Sequence, residues 1–350
     1  MKLLELHILQ SYPVTCLNRD DIGSPKSAVF GGSTRARISS QSLKRAIREY
    51  AQTVFPSAAF AGQRSRYLLE RFSKAIVAAG LAEPEATKKA EELAAIFSSL
   101  QDPKERQKSG DVTTAVFLSP AEIEQLARVA ADGGDLAKAA RKVTRLDAAD
   151  IALFGRMVAN DSSLNVEGAS LFSHAISTHR CDNDTDFFSA IDDVKRAAVG
   201  TTDAGAGMIG NIDFNSACYY RYCALNLDEL ARPTHLGGLS QEQRRAVVDA
   251  FLRATLQAIP AARKHSMNGH TLPGYALGIY KAAGQPLQLV NAFEKPVTTR
   301  GEGYLEGSRE RLTEHHRELK DTWGLKNDLE LELPGLTLDG FITQLVTHVP

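Results

Sequence analysis

The sequence predicts an α+β fold in which two insertions interrupt the order strand, helix, strand, strand, helix, strand. Three observations support this prediction. Apolar residues alternate at the N-terminus, a helical apolar stripe follows at residues 43–54, and a second alternating stretch precedes a capped helix at residues 240–259. The chain has 350 residues and 43% hydrophobic residues, which is enough for a full core. The element order is that of the ferredoxin-like, or RNA-recognition-motif-like, plan.

The first strand is predicted over residues 2–9, where side chains alternate and one face is expected to be the more buried. An irregular segment from Gln10 to Ile38 follows, and a loop of this length is usually functional. Ser39 or Ser40 then provides an N-cap for the first helix. Its apolar residues recur at helical spacing and end at Val54.

The two insertions have different compositions. The segment from about Arg64 to Leu146 is alanine-rich and predicts helices over 65–79, 84–100, 119–131 and 136–143. Strand character returns with IALFGRMV (151–158), followed by SLFSHAISTH. The second insertion, residues 182–210, ends in a glycine-rich tip with the apolar side chains of Met208 and Ile209.

The C-terminal third completes the predicted fold. A long alternating strand covers residues 212–222, and Ser240 with Gln243 caps a helix that ends before Pro260. Short strands are predicted near Gly278–Tyr280 and Leu287–Val290. Glutamates then recur at every fourth residue from 302 to 318, a pattern typical of a solvated helix face.

The charge of the chain is strongly segregated. The net charge is only −1, so bulk attraction to a polyanion is excluded. From Ile22 to Arg48 there is nevertheless no acidic residue, whereas six residues are basic: Lys26, Arg35, Arg37, Lys44, Arg45 and Arg48. A merely solvated face usually mixes charges of both signs, so this segment predicts a local anion site.

The chemistry of the segment favours repeated phosphates along a chain. Backbone N–H groups at the helix start, hydroxyl groups at Ser39, Ser40 and Ser42, and the Gln41 amide are all potential donors. The segment matches no nucleotide-binding glycine motif. The IALFGRMV run also lacks the aromatic residues of base-stacking RNA-recognition motifs. These features predict a protein that holds a nucleic-acid strand by its backbone, whatever the base sequence.

Other chemistries have weaker support. Cys16, Cys181, Cys218 and Cys223 form no CxxC motif, so we expect reduced thiols in a cytoplasmic protein, with no signal peptide or membrane span. The histidines at 174 and 179, with nearby Cys and Asp residues, do not have the spacing of a metal site. We therefore expect no metal, no cofactor and no catalysis. The carboxylates of Asp20 and Asp21 remain a possible ion site for phosphodiester hydrolysis.

Several motifs together resemble a known family. CLNRDD, FGG, RARISSQSLKRAIR, LFGRM, AISTH, DFFSAIDD and FNSACYYRYCALNLDEL occur in this order from residue 1 to about residue 230. They resemble the CasC family, the CRISPR RNA-binding backbone subunits of type I-E Cascade in the Cas-seven superfamily. The resemblance implies a modified RNA-recognition-motif palm (1–55, 147–181 and 217–350), a helical finger insertion (56–146) and a thumb hairpin (182–216).

The resemblance also implies roles for individual residues. Met157 would press on bases, and Met208 or Ile209 at the thumb tip would insert between nucleotides. The residues that the family pattern assigns to phosphates are Asn18, Arg19, Lys26, Ser39, Gln41, Lys44 and Arg48, and the charge pattern adds Arg37 and Arg45.

The resemblance implies several partners and no catalysis. Copies of the chain would stack head to tail on a CRISPR guide RNA and present it to target DNA in antiviral defence. The other Cascade subunits, which are the large and small subunits, the CasD-type cap and the guide-processing endonuclease, would complete the ribonucleoprotein. The alternative is an RNA-cleaving backbone subunit of the type III kind that uses Asp20 or Asp21.

Overall fold

The fold is described from a computed structural model that covers residues 1–56, 59–191, 206–260, 262–263, 265–299 and 301–350. It is a mixed α+β structure with a central antiparallel sheet, as the sequence predicts. No helix within these ranges is long and apolar enough to cross a membrane. The N-terminal elements are β1 (Leu3–Thr15), β2 (Ser27–Phe30), β3 (Ser33–Ile38) and helix α1 (Ser40–Val54).

The first insertion is predominantly helical, as predicted, and it also contains a small two-stranded sheet. Most of its buried side chains form one hydrophobic cluster from Leu68 to Ala140, to which Val158 and Leu164 of the following segment also belong. Its elements are β4 (Gln63–Ser65), α2 (Leu69–Ala78), α3 (Glu83–Phe97), α4 (Pro103–Ser109), β5 (Val116–Leu118), α5 (Pro120–Ala131) and α6 (Leu136–Lys142), and β4 pairs with β5.

The remaining elements complete the sheet and cover both of its faces. They are α7 (Ala149–Phe154), β6 (Ser170–Phe172), β7 (Ala175–Ser177), β8 (Asp184–Ile191), β9 (Ala206–Asn226), α8 (Leu227–Leu230), α9 (Gln241–Gln257), β10 (Tyr275–Lys281), α10 (Leu305–Trp323), β11 (Leu329–Leu333) and α11 (Leu338–Val346).

The main path of the sheet runs in the order β11, β10, β1, β9, β7, β3, β2, and β6 and β8 pair with β9 outside this path. The register of its centre pairs Leu3 with Asn226 of β9 and with Lys281 of β10. The order β10, β1, β9, β7 is compatible with the predicted ferredoxin-like plan. β8 and β9 form an antiparallel hairpin, and the connection between them, residues 192–205, lies outside the described residues.

Helices pack on both faces of the sheet. Leu4, Leu6 and Ile8 of β1 share a core with α1 and α9, and Leu9 on the opposite face packs in a cluster that includes Leu312 of α10. The expectation that one face of β1 would be less buried was therefore wrong. Its polar residues are buried as well: Glu5 accepts a 2.6 Å hydrogen bond from the Tyr222 hydroxyl and pairs with Lys281.

Three local predictions were wrong. The segment from Gln10 to Ile38 is not irregular, because β1 continues to Thr15 and β2 and β3 form a hairpin closed by Gly31 and Gly32, both with positive φ. The IALFGRMV segment is helix α7 followed by an isolated bridge at Arg156, because a short buried apolar run fits either element. Residues near Leu287–Val290 form no strand, and the edge strand is β11 instead.

Candidate nucleic-acid interface

The loop between β1 and β2 is stabilised by its own side chains. Asp20 Oδ1 accepts hydrogen bonds from the backbone N–H groups of Ile22 (3.0 Å) and Ser24 (2.9 Å). The backbone oxygen of Asn18 accepts from Lys26 N–H at 2.9 Å, and Arg19 forms an isolated bridge with Pro25. The loop that carries three of the predicted site residues is therefore a closed turn in which one carboxylate has a structural role.

The same loop is attached to the base of the β8–β9 hairpin. The Asp213 carboxylate accepts hydrogen bonds from the Ser24 hydroxyl and from Thr185 Oγ1 at 2.7 Å. These two bonds, with Ser24 the stronger influence, hold the pKa of Asp213 below its usual range. Asn183 Nδ2 also donates to the Pro25 carbonyl at 3.1 Å. The hairpin and the loop are thus held together by side chains from both segments.

Helix α1 begins at a capped end that the sequence predicts. Ser39 is the N-cap, and its hydroxyl accepts from Ser42 N–H at 3.2 Å. The Ser39 N–H itself donates to Asn18 Oδ1 at 2.9 Å, which fixes the loop against the helix start. Ser40 N–H donates to His174 Nδ1 at 3.1 Å.

The expectation of free backbone donors at this helix start was largely wrong. Of the first four backbone N–H groups of α1, three are taken: Ser40 bonds His174, and Ser42 and Leu43 bond Ser39. The acceptor ring of His174 comes from a residue far along the chain. Binding of an anion at this end of α1 therefore depends mainly on side-chain donors and side-chain charges.

Two predicted cations lie close together beside this helix start. Burial lowers the pKa of His174, and the nearby positive charges of Arg37 and Lys26 lower it further. Arg37 is half-buried in β3, with its Nε donating to the Ser27 carbonyl at 3.1 Å. Lys26 is half-buried at the end of the loop. The loop, β3 and His174 thus bring positive charge to the N-terminal end of α1, which itself favours anions.

The polar face of α1 continues this positive surface. Gln41 is exposed, and Lys44 is half-buried with its ammonium 5.7 Å from the centre of the Phe172 ring. Arg48, one turn further along, lies 5.1 Å from the centre of the Phe117 ring. Burial lowers the pKa of both Lys44 and Arg48. Both cations are held in place by aromatic rings rather than by carboxylates.

Arg45 and Arg19 occupy a neighbouring position. Arg45 pairs with Glu49 at 2.7 Å on the exposed side of α1. Together with Asn18 and Arg263, these two arginines line a groove of about 1010 Å³ between the β1–β2 loop, α1 and the segment after α9. Lys44 and Arg48 do not line it, so the predicted site residues divide into a groove on one side of α1 and a cationic row on the other.

We define the cationic row as Lys26, Arg37, Lys44 and Arg48. Among the residues that the structure describes, none of these four has a carboxylate oxygen within 4.0 Å. Arg35, the remaining basic residue of the acid-free segment, does not belong to the row. It is fully buried and donates to the carbonyls of Ser177 (3.0 Å) and Phe293 (2.8 Å), which gives it a structural role.

Met157 projects from a rigid base. Its side chain is 82% exposed, whereas the adjacent Arg156 is buried. Arg156 donates to both carboxylate oxygens of Glu122, at 2.7 and 2.9 Å, and to the Leu164 carbonyl. Arg145 also pairs with Glu122, at 3.0 Å. An exposed methionine held beside a buried ion pair is suited to an apolar contact with a ligand.

Met208 lies in β9, where its backbone pairs with Ala190 of β8. Its side chain and that of Ile209 lie outside the described residues, as do Gly200 and Gly205 of the predicted tip. The wedge role assigned to Met208 therefore stays a prediction.

The candidate metal ligands have other partners. His179 stacks on Tyr304, with ring centres 3.6 Å apart, and its two ring nitrogens bond the Arg180 carbonyl (2.7 Å) and Cys218 N–H (3.2 Å). Within the described ranges, no group of three or more His, Cys, Asp or Glu side chains is placed to hold a metal ion. The four cysteines are buried and unpaired with one another.

Sequence reasoning missed the aromatic rings beneath the cations. Phe172 and Phe117 reach Lys44 and Arg48 from β6 and β5. Both are far from α1 in the sequence, and no local pattern marks them. His174 was considered only as a metal ligand, although its role is to accept a hydrogen bond from the start of α1.

Comparisons with known proteins support the fold described above. No curated protein sequence matches the chain significantly. One solved structure, a chain of a pre-nicking CRISPR RNA-guided surveillance complex, is similar over 99% of this chain and 100% of its own, with a TM-score of 0.80 and 25% identity. A chain of another CRISPR RNA-guided surveillance complex shares the fold, with a TM-score of 0.63, 23% identity, and coverage of 99% and 98%.

The profile of the CT1975-like protein family matches residues 4–333, which is nearly the whole chain. The match spans the loop, the cationic row, both insertions and all but the last helix. On this evidence the chain belongs to the family of CT1975-like proteins and is a protein of the Cas-seven type.

Proposed function

We propose that this protein is a non-catalytic RNA-binding backbone subunit of a CRISPR surveillance complex, and specifically of a type I-E Cascade. The observation that carries the proposal is the cationic row. Four positive charges lie along one surface with no carboxylate within 4.0 Å among the described residues, and all four side chains are half-buried. Such charges are costly to leave without a partner, and a polyanion supplies one.

The kind of polyanion follows from the donors. Lys44 and Arg48 are one helical turn apart, which suits successive negative groups along a chain. The two rings nearest to them, Phe172 and Phe117, already contact the cations, so base stacking is not their main role. We infer that the row holds the phosphates of a single-stranded RNA and leaves its bases free to pair with target DNA.

The whole-chain similarity to a chain of a CRISPR RNA-guided surveillance complex supports a guide RNA as this ligand. We propose that copies of the chain stack head to tail on it in the cytoplasm. Such a heterologous contact does not close on itself, so the length of the guide and the other subunits would end the stack. In this arrangement the chain divides into a palm (1–55, 147–181 and 217–350), a finger insertion (56–146) and a thumb (182–216). These parts would hold the RNA and contact the neighbouring copies.

The proposal assigns an RNA contact to each predicted site residue outside the row as well. Asn18, Arg19, Ser39 and Gln41 would contact phosphates near the helix start, and Met157 and Met208 would contact bases. Arg45 would also contact a phosphate, once its ion pair with Glu49 on the same helix is broken.

The non-catalytic part of the proposal is supported by the position of Asp20. Its Oδ1 atom is engaged by two backbone N–H groups of its own loop. This role is sufficient to explain an aspartate at this position without phosphodiester chemistry.

One experiment tests the proposal directly. The protein is purified from a host that expresses its neighbouring genes, and the nucleic acid that accompanies it is sequenced. Uniform repeat-spacer RNA is the expected result. Random RNA, or none, would contradict the proposal.

A further inference from the structure

A cavity opens where the helical insertion meets the far end of the cationic row. Its volume is about 450 Å³, and its lining includes Arg48, Gln52, Gly62, Gln63 and Arg64. Arg48 and Gln52 come from α1, and Arg64 lies on the short strand β4. No residue of this cavity other than Arg48 belongs to the predicted site.

Two guanidinium groups share one aromatic ring at this cavity. The central guanidinium carbon of Arg48 lies 5.1 Å from the centre of the Phe117 ring, and that of Arg64 lies 5.5 Å from it. Both distances are within the range of a cation–π contact. The positive charge of Arg64 is near enough to contribute to the lowered pKa of Arg48, although burial is the larger cause. The uncharged Phe117 ring thus holds the positive charges of Arg48 and Arg64 near each other.

The negative charge nearby does not balance the positive charge. Two carboxylates act on Arg48, those of Asp150 and Glu49, whereas Arg45 and Arg64 add two further positive charges. Asp150 is buried, which raises its pKa to about 6, and it accepts from Gly62 N–H at 3.2 Å. Glu49 lines the cavity but pairs with Arg45 at 2.7 Å. Neither Arg48 nor Arg64 has a carboxylate oxygen within 4.0 Å in the described part of the chain.

The donors of the two arginines are not used up by the protein. Arg48 donates no side-chain hydrogen bond within the described residues, and since only its Nε is buried, its terminal N–H groups remain for a ligand. Arg64 is exposed on β4, and no side-chain hydrogen bond to its guanidinium is formed within the described residues. Guanidinium groups bind phosphate oxygens through paired N–H donors, so this arrangement is chemically suited to one phosphate.

Gly62 allows this geometry. A Cβ atom at this position would lie 2.6 Å from a ring carbon of Phe117 and 2.6 Å from Asp150 Oδ1. Any larger residue would therefore push the ring or the carboxylate away from its present place. The position of the Phe117 ring beneath the two arginines therefore depends on the close approach of the Gly62 backbone.

We propose that Arg48 and Arg64, positioned together by Phe117, form a separate phosphate subsite that takes the phosphodiester following the one held at Lys44. This inference rests on the proposed RNA-binding function and extends it into the helical insertion. It makes Arg64 a binding residue and Phe117 a positioning residue, and it implies that the strand leaves α1 toward β4.

The test uses the full chain and a labelled single-stranded RNA of mixed sequence, with affinity measured by anisotropy over a series of salt concentrations. Arg64→Gln should reduce the slope of log affinity against log salt measurably but by less than about 0.7, the value for one whole phosphate contact on a single strand, because Arg48 still contacts the same phosphate. Arg64→Lys should restore most of the slope, because a point charge also binds phosphate. Arg128→Gln is the matched control, since Arg128 is an exposed helix arginine near Glu124.

The outcomes separate this inference from the proposed function. If Lys44→Gln reduces the slope and Arg64→Gln does not, the subsite is refuted and RNA binding by α1 stands. If neither change alters the slope, the proposed function fails as well. A lower thermal midpoint for Arg64→Gln with an unchanged slope would show that the pair of arginines is only structural, which also overturns the inference.

Discussion

Replacement of both Lys44 and Arg48 by glutamine should weaken RNA binding without unfolding the protein. Each side chain is half-buried, each packs on an aromatic ring, and neither has a carboxylate within 4.0 Å among the described residues. Their removal therefore breaks no ion pair. The cost in folding free energy is limited to two cation–π contacts of about 0.5–1 kcal/mol each, and part of it is offset because two half-buried charges no longer need desolvation.

The loss in binding is calculated from the number of phosphates released. Each phosphate contact with a single strand contributes about 0.7 to the slope of log affinity against log salt. The double variant should therefore lose about 0.7 through Lys44 and up to about 0.7 more through Arg48, whose phosphate Arg64 also contacts. The loss should be equal for RNAs of different base sequence, because phosphates carry no sequence information.

The assay is RNA binding by anisotropy at several salt concentrations, with Glu49→Gln as the control on the same helix. Glu49 pairs with Arg45, so its neutralisation should leave the slope unchanged or raise it slightly. A loss of affinity that depends on base sequence would refute the reasoning. A slope equal to that of the wild type would do so as well.

Three further predictions concern single residues. Asp20→Asn should keep RNA affinity, because the amide oxygen still accepts from Ile22 and Ser24, whereas Asp20→Ala should loosen the loop and weaken binding. If the wild type instead cuts a complementary RNA with magnesium and Asp20→Asn abolishes the cuts, the protein is a nuclease. Glu122→Gln should lower the free energy of unfolding by about 3–5 kcal/mol in urea titrations, because Arg156 is left buried without its partner, and an unchanged midpoint would contradict this. Folding raises the pKa of Asp150 from 3.8 to about 6. As pH rises, the unfolded state therefore loses this proton before the folded state does. The contribution of this carboxyl to the free energy of unfolding falls between about pH 4 and about pH 6. The total fall in the free energy of unfolding is on the order of 3 kcal/mol. In urea titrations Asp150→Asn should therefore become more stable relative to the wild type as pH rises across this window. A stability difference between the two proteins that does not change with pH would exclude this account.

Local features of the sequence were sufficient to predict helix α1, which carries several of the candidate site residues. The N-cap at Ser39 and the apolar stripe of α1 are short-range patterns, and the structure confirms both. The exception in the stripe is Val54, which is exposed at the end of the helix. The capping box of Ser240 and Gln243 was likewise confirmed at the start of α9.

Features that depend on distant parts of the chain were not predictable. The donors at the start of α1 were expected to be free, but His174 reaches one of them from a segment more than a hundred residues away. Ser119 and Glu122 have the spacing of a capping box, and the Ser119 hydroxyl accepts from Glu122 N–H, but the Glu122 side chain pairs with Arg156 and Arg145 instead of completing the box. A tertiary ion pair outcompetes the local capping bond here, and no local pattern reports such a competition.

The position of the exposed glutamates of α10 bears on how a chain of net charge −1 can bind a polyanion, although the same helix also carries four basic residues. The glutamates of α10 are exposed, and α10 packs on the face of the sheet that contains Leu9, whereas α1 packs on the face that contains Ile8. The sheet therefore lies between the glutamates of α10 and the two cations of α1, Lys44 and Arg48, and we expect their interaction to be screened at physiological salt, where the Debye length is about 8 Å. Replacement of Glu310 and Glu314 by glutamine should leave RNA affinity unchanged at about 0.15 M salt and raise it at about 0.01 M, where the Debye length is about 30 Å. Equal gains at both salt concentrations, measured by anisotropy, would mean that α10 acts on the RNA at short range and that the sheet does not separate the two charged surfaces.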